Sequence, residues 1–383
     1  MCYNHPGENM KKIIISILAI LLLTGCQTQE KELKQYTKRT LTAGFDTEVV
    51  LIGYAYSEEE FDGYFQLLRE EFLHYNEIFD HFKDYEGVNN IKTINDQAGI
   101  MPVEVDPDII ELIEFTQNYD EFNDQKFDMT LGAVLEIWHA YREAGMLNNQ
   151  EDLPGKVPSI TLLEEAKELT GYDLLEINKE DSTVFLTKEG ASLDLGAIAK
   201  GWVTEQVAVT LEEAGLTHGA INAGGNVRTI NGKPDGPWRI GVARPSSLNT
   251  SSVDTITLDG SISMVTSGDY QRFYTDENGT IYHHLIDSVT LMPSNYHRSV
   301  TIITKDSGLA DLFSTIFYLH DYQSGLELLE RFNEAYPESQ IGVVWVIDGD
   351  QEAPSDDFVH IDDNEFQIAV SENIQEYSRV FNP

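Results

Sequence analysis

Cysteine is almost absent from the sequence: its 383 residues include only Cys2 and Cys26. So few cysteines exclude a disulfide framework and a thiolate metal site. Cleavage before Cys26 would leave one cysteine, and a lipid on that residue would also exclude a cysteine nucleophile. The fold must therefore be stabilised by its hydrophobic core, which a chain of this length can bury as one large domain or two intimately joined ones.

Positive charge is scarce as well. The chain carries 65 aspartates and glutamates against 25 lysines and arginines, a net charge of −40. Residues 1–25 contribute Lys11, Lys12 and Glu8, so removing this net +1 would leave −41. Such a balance excludes nucleic acid and anionic lipid as partners. The acidic residues are scattered, which is typical of a solvated acidic surface, and an anionic substrate would need a metal ion or local positive dipoles to approach it.

Long hydrophobic runs are also missing, with one exception near the start. Lys11 and Lys12 precede the uncharged run Ile13–Leu23, and small residues then lead to Cys26. The run is too short to span a membrane and has the layout of a secretory signal. The segment Leu23-Thr24-Gly25-Cys26 resembles a bacterial lipobox, in which the cysteine receives lipid and becomes the mature N-terminus. The alternative is an ordinary signal peptide with an incidental cysteine.

These features divide the chain into three parts. We expect residues 1–25 to be a signal peptide, with Met10 as an alternative start. Residues 26–40 would be the lipidated cysteine and a polar tether, and residues 41–383 one compact unit. Two or more acyl chains would hold the protein on a membrane surface, since one chain alone binds marginally. The expected location is the extracytoplasmic face of a bacterial cell membrane.

Short strands and helices alternate through residues 41–383. A capping box at Ser57 predicts a helix whose apolar face includes Phe61 and Phe72. Further helices are predicted after Asp106, from Thr161 to Gly171, and over 200–214, 307–320 and 323–335. Strands are predicted over 47–55, 219–223, 238–243, 255–266, 281–286, 298–304, 341–347 and 366–370, with short strands between 172 and 195. This mixture predicts an α+β fold with mixed or antiparallel sheets.

The segment Ser192–Gly201 carries more polar and glycine residues than packing requires. A strand ends at Asp194, Gly196 turns the chain, and a helix begins. Free N–H groups at such a helix start can hold a phosphate, and Lys200 could add charge. Alternatively, the segment is a strand–turn–helix junction in which Asp194 is a cap.

Two small-residue turns follow strands further along the chain. The paired glycines of Ile221–Asn226 permit close backbone approach or positive φ, although a hairpin turn explains them better. The hydroxyls of Val265–Tyr270 could bind phosphate or simply satisfy the turn.

Two adjacent histidines occur in Tyr282–Asp287. On a strand, His284 shares a face with Ile286, and His283 shares the other with Leu285. A histidine here could accept a proton from a hydroxyl nucleophile, although a structural histidine fits the pattern at least as well.

The apolar helix Ala310–Phe317 places two polar side chains on one stripe, because Asp311 and Thr315 are four residues apart. A carboxylate, a hydroxyl and a backbone carbonyl would form a hard-oxygen site suited to Mg²⁺. Alternatively, Asp311 complements the helix dipole and Thr315 bonds back to its own helix.

An aromatic segment, Phe127–Gly132, leads into a helix with Trp138 and Tyr141. It could form an aromatic wall with a carboxylate, suited to a flat heterocycle. The alternative is an amphipathic helix with aromatic core positions.

Taken together and in this order, the segments resemble the ApbE family, the FAD:protein FMN transferases. The resemblance covers residues 40–318, and the lipobox agrees with it because many family members are exported lipoproteins. It rests on Phe127–Thr130, Asp194–Gly201, Gly224-Gly225, Thr266–Tyr270, His284–Asp287 and Ala310–Thr315. The fold that it implies is an α+β, T-fold-like catalytic unit.

The resemblance implies a reaction. The enzyme would take FAD as substrate, release AMP, and leave FMN joined by a phosphoester to a Thr or Ser hydroxyl of an exported or membrane flavoprotein. Mg²⁺ would offset the repulsion between FAD and the acidic protein. If water entered instead, the site would be a Mg²⁺-dependent FAD pyrophosphatase. The other alternative is a lipoprotein that only binds flavin or another solute.

The resemblance also assigns roles to residues. Ala197 would offer its backbone carbonyl to the metal, with Asp311 and Thr315 supplying side-chain oxygens. His284 would accept the proton of the incoming hydroxyl. The residues that would line the FAD site are Phe45, Phe82, Lys126, Phe127, Asp128, Asp194, Lys200 and Leu285.

Four positions depart from the family pattern. Phe45 and Phe82 stand where the family often has Met and Tyr. Ser288 stands where it often has Pro, and is expected to loosen the loop over the flavin. Asn226 stands where many members have Asp, which removes a charge.

Overall fold

The computed structural model describes residues 32–246, 251–361 and 364–383. The lipobox, Cys26 and residues 27–31 of the expected tether lie outside this part of the chain. None of the helices in the described ranges is long and apolar enough to cross a bilayer.

The described residues form eight α-helices and sixteen β-strands. The helices are α1 Glu58–Phe79, α2 Ile91–Asp96, α3 Pro107–Gln117, α4 Gly132–Gln150, α5 Ile160–Lys167, α6 Ala199–Glu213, α7 Ser307–Tyr318 and α8 Tyr322–Ala335. The strands are β1 Lys34–Thr40, β2 Val49–Ala55, β3 Val103–Glu104, β4 Leu175–Asn178, β5 Thr183–Leu186, β6 Gly219–Ala223, β7 Asn226–Ile230, β8 Trp238–Ala243, β9 Ser252–Leu258, β10 Ser263–Gly268, β11 Phe273–Thr275, β12 Ile281–His283, β13 Ser299–Thr304, β14 Gly342–Asp348, β15 Val359–Ile361 and β16 Phe366–Val370.

A nine-stranded sheet lies at the centre of the fold. Its strand order is β1-β2-β6-β7-β10-β13-β14-β16-β15, and every neighbouring pair is antiparallel. Three small antiparallel sheets, β3-β5-β4, β8-β9 and β11-β12, accompany it. The α+β prediction is confirmed.

Both faces of the nine-stranded sheet are covered. On one face, Val343 and Trp345 pack into the main core together with helix residues such as Phe317. On the other face, Val344 and Val346 pack against the β8–β9 hairpin. A strand that is buried on both faces needs apolar side chains at every position. This explains the uninterrupted apolar sequence of β14.

Helix α7 is buried along its whole length, and it packs against α6 and against strands β10 and β13. Helix α6 approaches it most closely at Gly201. A Cβ at this glycine would lie 2.2 Å from the Asp311 Cβ and 2.3 Å from the Ser307 carbonyl oxygen. Only glycine permits this contact, which brings the start of α6 to the side chain of Asp311.

Residues 34–40 belong to the sheet and not to a tether. Strand β1 pairs with β2 over its full length, from Lys34 opposite Ala55 to Thr40 opposite Val49. Tyr36 also stacks on Phe61, with ring centroids 5.5 Å apart. The expected tether is therefore corrected: its last seven residues form the edge strand of the main sheet.

Some element boundaries also differ from the predictions. The strand expected over 255–266 is two strands, β9 and β10, separated by a turn at Gly260 with φ 88°. The strand expected over 281–286 ends at His283. Helix α5 is capped by Ser159 rather than Thr161 and ends at Lys167, before Gly171.

Candidate active site

Four of the motif segments converge where α6 begins beside the middle of α7. Gly132 N donates to the Ser192 carbonyl at 3.1 Å, and Asp194 N donates to the Met129 carbonyl at 2.9 Å. These bonds align the segment before α4 with the segment before α6. The polypeptide then turns at Gly196, whose N–H donates to Asp194 Oδ1 at 2.8 Å. Asp194 is therefore the cap of this junction, and its half-buried carboxylate remains at the site.

Asp311 is the buried carboxylate at this junction, with 5% of its surface exposed. Its Oδ2 accepts a hydrogen bond from Gly201 N at 2.7 Å. In a regular helix this N–H would bond to the carbonyl of Ala197. No N–H of the described residues donates to the Ala197 carbonyl, which is left available to another partner.

Hydroxyl groups complete the oxygen cluster. Thr315 lies one helical turn after Asp311 and is also buried. Ser267, at the end of β10, places its Oγ 3.4 Å from Thr315 Oγ1 and 2.8 Å from Ser314 Oγ. Ser314 in turn donates to the Asp311 backbone carbonyl at 2.8 Å. The turn hydroxyl of Ser267 thus belongs to the site, whereas Thr266 bonds to Thr301 at 2.8 Å on the sheet.

The donor set fits Mg²⁺. A carboxylate, a hydroxyl and a free carbonyl are the hard oxygen ligands that this ion prefers. Burial raises the pKa of the Asp311 carboxyl, while the charge of Lys200 and the Gly201 N–H act in the opposite direction. The Asn226 amide lies near the same carboxylate, but its buried Nδ2 completes no hydrogen bond with the described residues. An ionised Asp311 therefore lacks full compensation, and a cation would supply it.

His283 and His284 have opposite environments. His283 is buried; its Nδ1 accepts from Leu285 N at 3.1 Å and its Nε2 lies 2.6 Å from the Ser294 carbonyl. These bonds assign its proton to Nε2, and burial lowers its pKa to about 4. His283 is thus a structural histidine.

His284 follows strand β12 and is half-buried. Its Nδ1 is buried without a partner, and Nε2, which is neither buried nor hydrogen-bonded within the described residues, is open to solvent. Burial lowers the pKa of the ring well below its usual value, and the nearby charges of Arg142, Arg272 and Lys200 act in the same direction. The ring is neutral at pH 7 and able to accept a proton.

Aromatic groups lie at the edge of the site. Phe82 is 57% exposed and contacts His81 and His139 with tilted rings, whose centroids are 3.8 and 5.2 Å away. His81 Nε2 lies 3.9 Å from Asp194 Oδ2, so these rings adjoin the α6 junction.

Phe45 lies in the turn before β2, and Thr47 of the same turn contacts Gly224. Phe45 and Asp46 have φ of 55° and 48°, the left-handed region that favours glycine. Asn76 Oδ1 holds the Phe45 N–H at 2.7 Å. A Cβ on Gly224 would lie 2.1 Å from Thr47 Oγ1, so the paired glycines permit close approach of this turn.

The predicted segment 126–128 is held by polar contacts. Lys126 Nζ donates to the Leu319 carbonyl at 2.8 Å and lies 3.5 Å from Asp287. Asp128 Oδ1 accepts from Thr130 N at 2.8 Å. Phe127 and Leu285 are buried in the main core, so the exposed aromatic ring at this edge is that of Phe82 and not that of Phe127.

Two expectations are corrected. Ser288 does not loosen its loop: its N–H donates to the Lys126 carbonyl at 2.9 Å, and its Oγ donates to the Gln125 carbonyl. Proline could make neither bond. The aromatic wall after Gly132 is core packing, because Trp138 is buried, stacks on Tyr282 at 5.9 Å and donates to the Leu291 carbonyl at 2.9 Å.

Sequence reasoning included the turn of Ser267 but gave no role to Arg142 and Arg272, whose charges act on His284. Arg142 lies in the middle of α4 without a motif around it. Arg272 lies beside the predicted turn Val265–Tyr270, but its neighbours in space come from other segments. The available signal was chemical: cations are scarce in this chain, and three of them surround His284.

Known proteins with similar sequences share one description. The family model described as the ApbE family matches residues 45–337, and a model of a prokaryotic membrane lipoprotein lipid attachment site matches residues 10–27. The FAD:protein FMN transferase of Haemophilus influenzae is 26% identical over 335 residues, 85% of this chain and 92% of that protein. That of Vibrio cholerae is 27% identical over 357 residues, 91% of this chain and 98% of that protein.

Solved structures agree with this relationship. The ApbE protein from Thermotoga maritima has a TM-score of 0.70 and 29% identity, over 90% of this chain and 100% of that one. The flavinyl transferase ApbE of Pseudomonas stutzeri, at 21% identity, has a TM-score of 0.69 over 94% of this chain and 99% of that one, and so supports the fold alone.

Proposed function

The chain belongs to the ApbE family, and we propose that it is an FAD:protein FMN transferase. It would take FAD, attach FMN through a phosphoester to a Thr or Ser hydroxyl of an acceptor flavoprotein, and release AMP. The relatives from Haemophilus influenzae and Vibrio cholerae carry the name of this activity.

One observation carries the proposal: a buried cluster of oxygen atoms lies at the start of α6, where Lys200 also acts electrostatically on His284. Asp311 accepts from Gly201 N, next to the free Ala197 carbonyl, and Thr315 lies one helical turn further along α7. Lys200 is near both Asp311 and His284. A flavin-binding protein without chemistry would need an aromatic surface but no such cluster. Phosphoryl transfer needs both charge stabilisation and a proton acceptor.

Ala197, Asp311 and Thr315 would hold Mg²⁺ through one carbonyl, one carboxylate and one hydroxyl oxygen. When bound, the ion would neutralise charge on the diphosphate of FAD and on the departing AMP phosphate. The Ser267 hydroxyl, 3.4 Å from Thr315 Oγ1, would orient that threonine or contact a phosphate oxygen directly.

His284 would take the proton of the acceptor hydroxyl on Nε2. The hydroxyl oxygen then attacks the phosphorus of the FMN half, the bond from that phosphorus to the bridging oxygen breaks, and its electron pair leaves with AMP. The lowered pKa of His284 keeps the ring neutral before transfer. Phe82 would stack on the isoalloxazine ring, while Phe45, Asp194 and Lys200, with the backbone of residues 126–128 and of Leu285, would line the rest of FAD.

The location of the reaction follows from the start of the chain. The match to a lipid attachment site indicates a lipid-anchored lipoprotein. We propose that Cys26 carries the lipid and that the enzyme acts on the extracytoplasmic face of the membrane. Its acceptors would be exported or membrane flavoprotein domains, and FAD would have to reach that face.

The proposal is tested by incubating the protein with FAD, Mg²⁺ and a flavin-acceptor domain and measuring the intact mass of the acceptor. Wild type should add one FMN. Asp311→Asn and Thr315→Val should lower the rate roughly a hundredfold or more, because the first removes the charge of the carboxylate ligand and the second removes the hydroxyl ligand. Removal of Mg²⁺ by a chelator should stop the wild-type reaction.

The matched control is Asp356→Asn, which changes an exposed carboxylate and should react like wild type. Melting temperatures of all variants establish that they are folded. Undiminished transfer by Asp311→Asn would refute the metal assignment. FMN and AMP formed without acceptor, at a rate that acceptor does not increase, would identify a pyrophosphatase instead.

A further inference from the structure

The extreme acidity of the chain raises a question about its proposed substrate. FAD carries a diphosphate, and a protein of net charge −40 repels it. Binding therefore requires a place where positive charge is concentrated. Two arginines outside the assigned site, Arg142 and Arg272, are placed to provide it.

Arg272 lies across the β11–β12 hairpin from His284. Strand β11 begins with Phe273, which pairs with His283, the last residue of β12. Arg272 and His284 are the next residues beyond this last pair, one on each side of the hairpin. Arg272 is accordingly close enough for its charge to act on the His284 ring.

Arg142 reaches this hairpin from helix α4. Gly145, three residues later on the same helical face, packs directly on Tyr274, since a Cβ there would lie 2.5 Å from the ring. Tyr274 is two residues after Arg272. Arg142 Nη2 also lies 2.9 Å from His139 Nδ1, and His139 contacts Phe82, the exposed aromatic of the site. The guanidinium of Arg142 is thus held beside the aromatic edge, and its charge acts on His284.

Neither arginine is neutralised in the part of the chain that the structure describes. No carboxylate oxygen there lies within 4.0 Å of either guanidinium. Arg142 is half-buried, and both its burial and the charge of Arg272 lower its pKa. The charges of Asp194 and Glu143 act in the opposite direction. Two neighbouring cations without ion pairs in a strongly acidic protein are compensated when an anion binds between them.

We propose that Arg142 and Arg272 form a clamp that binds the diphosphate of FAD beside His284. A guanidinium suits this task because its planar donors bind phosphate oxygens in pairs and it remains charged at any working pH. The clamp would hold the diphosphate against the start of α6, with the flavin toward Phe82. This inference rests on the proposed function, because it takes FAD as the ligand.

The test measures the dissociation constants of FAD, ADP and riboflavin by titration calorimetry with Mg²⁺ present. ADP has the diphosphate without the flavin, and riboflavin has the flavin without phosphate. Arg142→Gln and Arg272→Gln should each weaken FAD and ADP roughly tenfold, the loss expected for a charge-assisted bond, and leave riboflavin unchanged. The salt dependence of FAD binding should also become shallower in both variants.

Two further variants separate binding from folding. Arg142→Lys keeps the charge and should restore part of the affinity for ADP, which a purely structural role would not predict. Arg239→Gln removes an exposed arginine of the β8 strand and should bind all three ligands like wild type. Melting temperatures within a few degrees of wild type show that the variants retain the fold.

The outcomes distinguish the clamp from the proposed function. Wild type that transfers FMN, with unchanged FAD and ADP affinity in both glutamine variants, overturns the clamp alone. Equal weakening of riboflavin and ADP also overturns it, since the arginines would then shape the flavin pocket. Affinity lost as expected, in a wild type that transfers no FMN, supports the clamp and refutes the transferase. Wild type that binds neither FAD nor ADP refutes both.

Discussion

His283 and His284 are neighbours in the chain whose side chains meet different surroundings. Both nitrogens of His283 are occupied by backbone groups, whereas His284 has an open Nε2. The alternation of a strand predicted that the two rings would point to opposite faces. It could not decide which face is core, because that depends on Ser294, Tyr318 and other residues far along the chain. The assignment of His284 as proton acceptor came from the family resemblance and stays a prediction.

Buried neutral histidines should make the fold sensitive to acid. Burial lowers the pKa of His283 and of His297 to about 4, while an unfolded histidine titrates near pH 6.5. Between these values the unfolded chain binds more protons, so stability is full above about pH 6.5 and falls as the pH decreases toward 4. Each histidine contributes up to about 3 kcal/mol, an order-of-magnitude figure.

Urea unfolding of wild type and His297→Gln between pH 7.5 and 4.5 checks this prediction. The variant should lose less stability over that range. The slope of its unfolding free energy against pH should correspond to roughly one proton fewer than in wild type. His360→Gln, an exposed position on β15, is the control and should follow wild type. Parallel profiles for wild type and His297→Gln would contradict the argument.

At the scale of elements, periodicity and caps predicted most helices within a few residues. The capping box at Ser57 and the Asp106-Pro107 start are present as expected. The errors lie where pairing partners decide the element. Residues 34–40 look polar and charged because an edge strand is partly exposed, so local composition favoured a tether. Strands β9 and β10 form one continuous apolar pattern in the sequence, but β9 pairs with β8 and β10 with β7 and β13.

The pairing of β1 with β2 predicts how truncation of the N-terminal residues changes stability. A chain that begins at residue 33 should be as stable as one that begins at residue 27. A chain that begins at residue 41 should lose roughly 2 to 4 kcal/mol, because it lacks the β1–β2 pairing and the Tyr36–Phe61 stack. Urea midpoints give the comparison. Tyr36→Ala in the longer chain should show part of the loss, and equal stability of all three truncations would show that β1 is dispensable.

At the scale of the molecule, the edge strand brings the folded unit close to its expected anchor. Only residues 27–33 separate Cys26 from β1, and seven residues span at most about 25 Å. An enzyme held on so short a segment could reach only acceptor domains at the membrane surface. The acidic surface would have a complementary role, since it would repel anionic lipid and leave the proposed lipid on Cys26 as the attachment.

Replacement of Cys26 tests the anchor. Cys26→Ala should release the protein from the membrane fraction, because the lipid accounts for its attachment. FMN transfer to a soluble acceptor domain in solution should be unchanged, while modification of a membrane-embedded acceptor should fall. Fractionation of cells that express both forms gives the measurement. A Cys26→Ala protein that stays with the membrane would show that another contact holds it.

The sequence by itself determined the lipid attachment motif, the family and the order of the motifs. These depend on local spacing, which survives without knowledge of the fold. The i, i+4 stripe of Asp311 and Thr315 could be predicted for the same reason.

Only the tertiary structure decided that the Gly201 N–H donates to the Asp311 carboxylate, which leaves the Ala197 carbonyl free. It also decided that Trp138 is buried in the core while Phe82 is exposed. It also brought Arg142, 130 residues earlier in the chain, to the hairpin of Arg272. Such contacts are set by the packing of distant elements, and no local pattern encodes them.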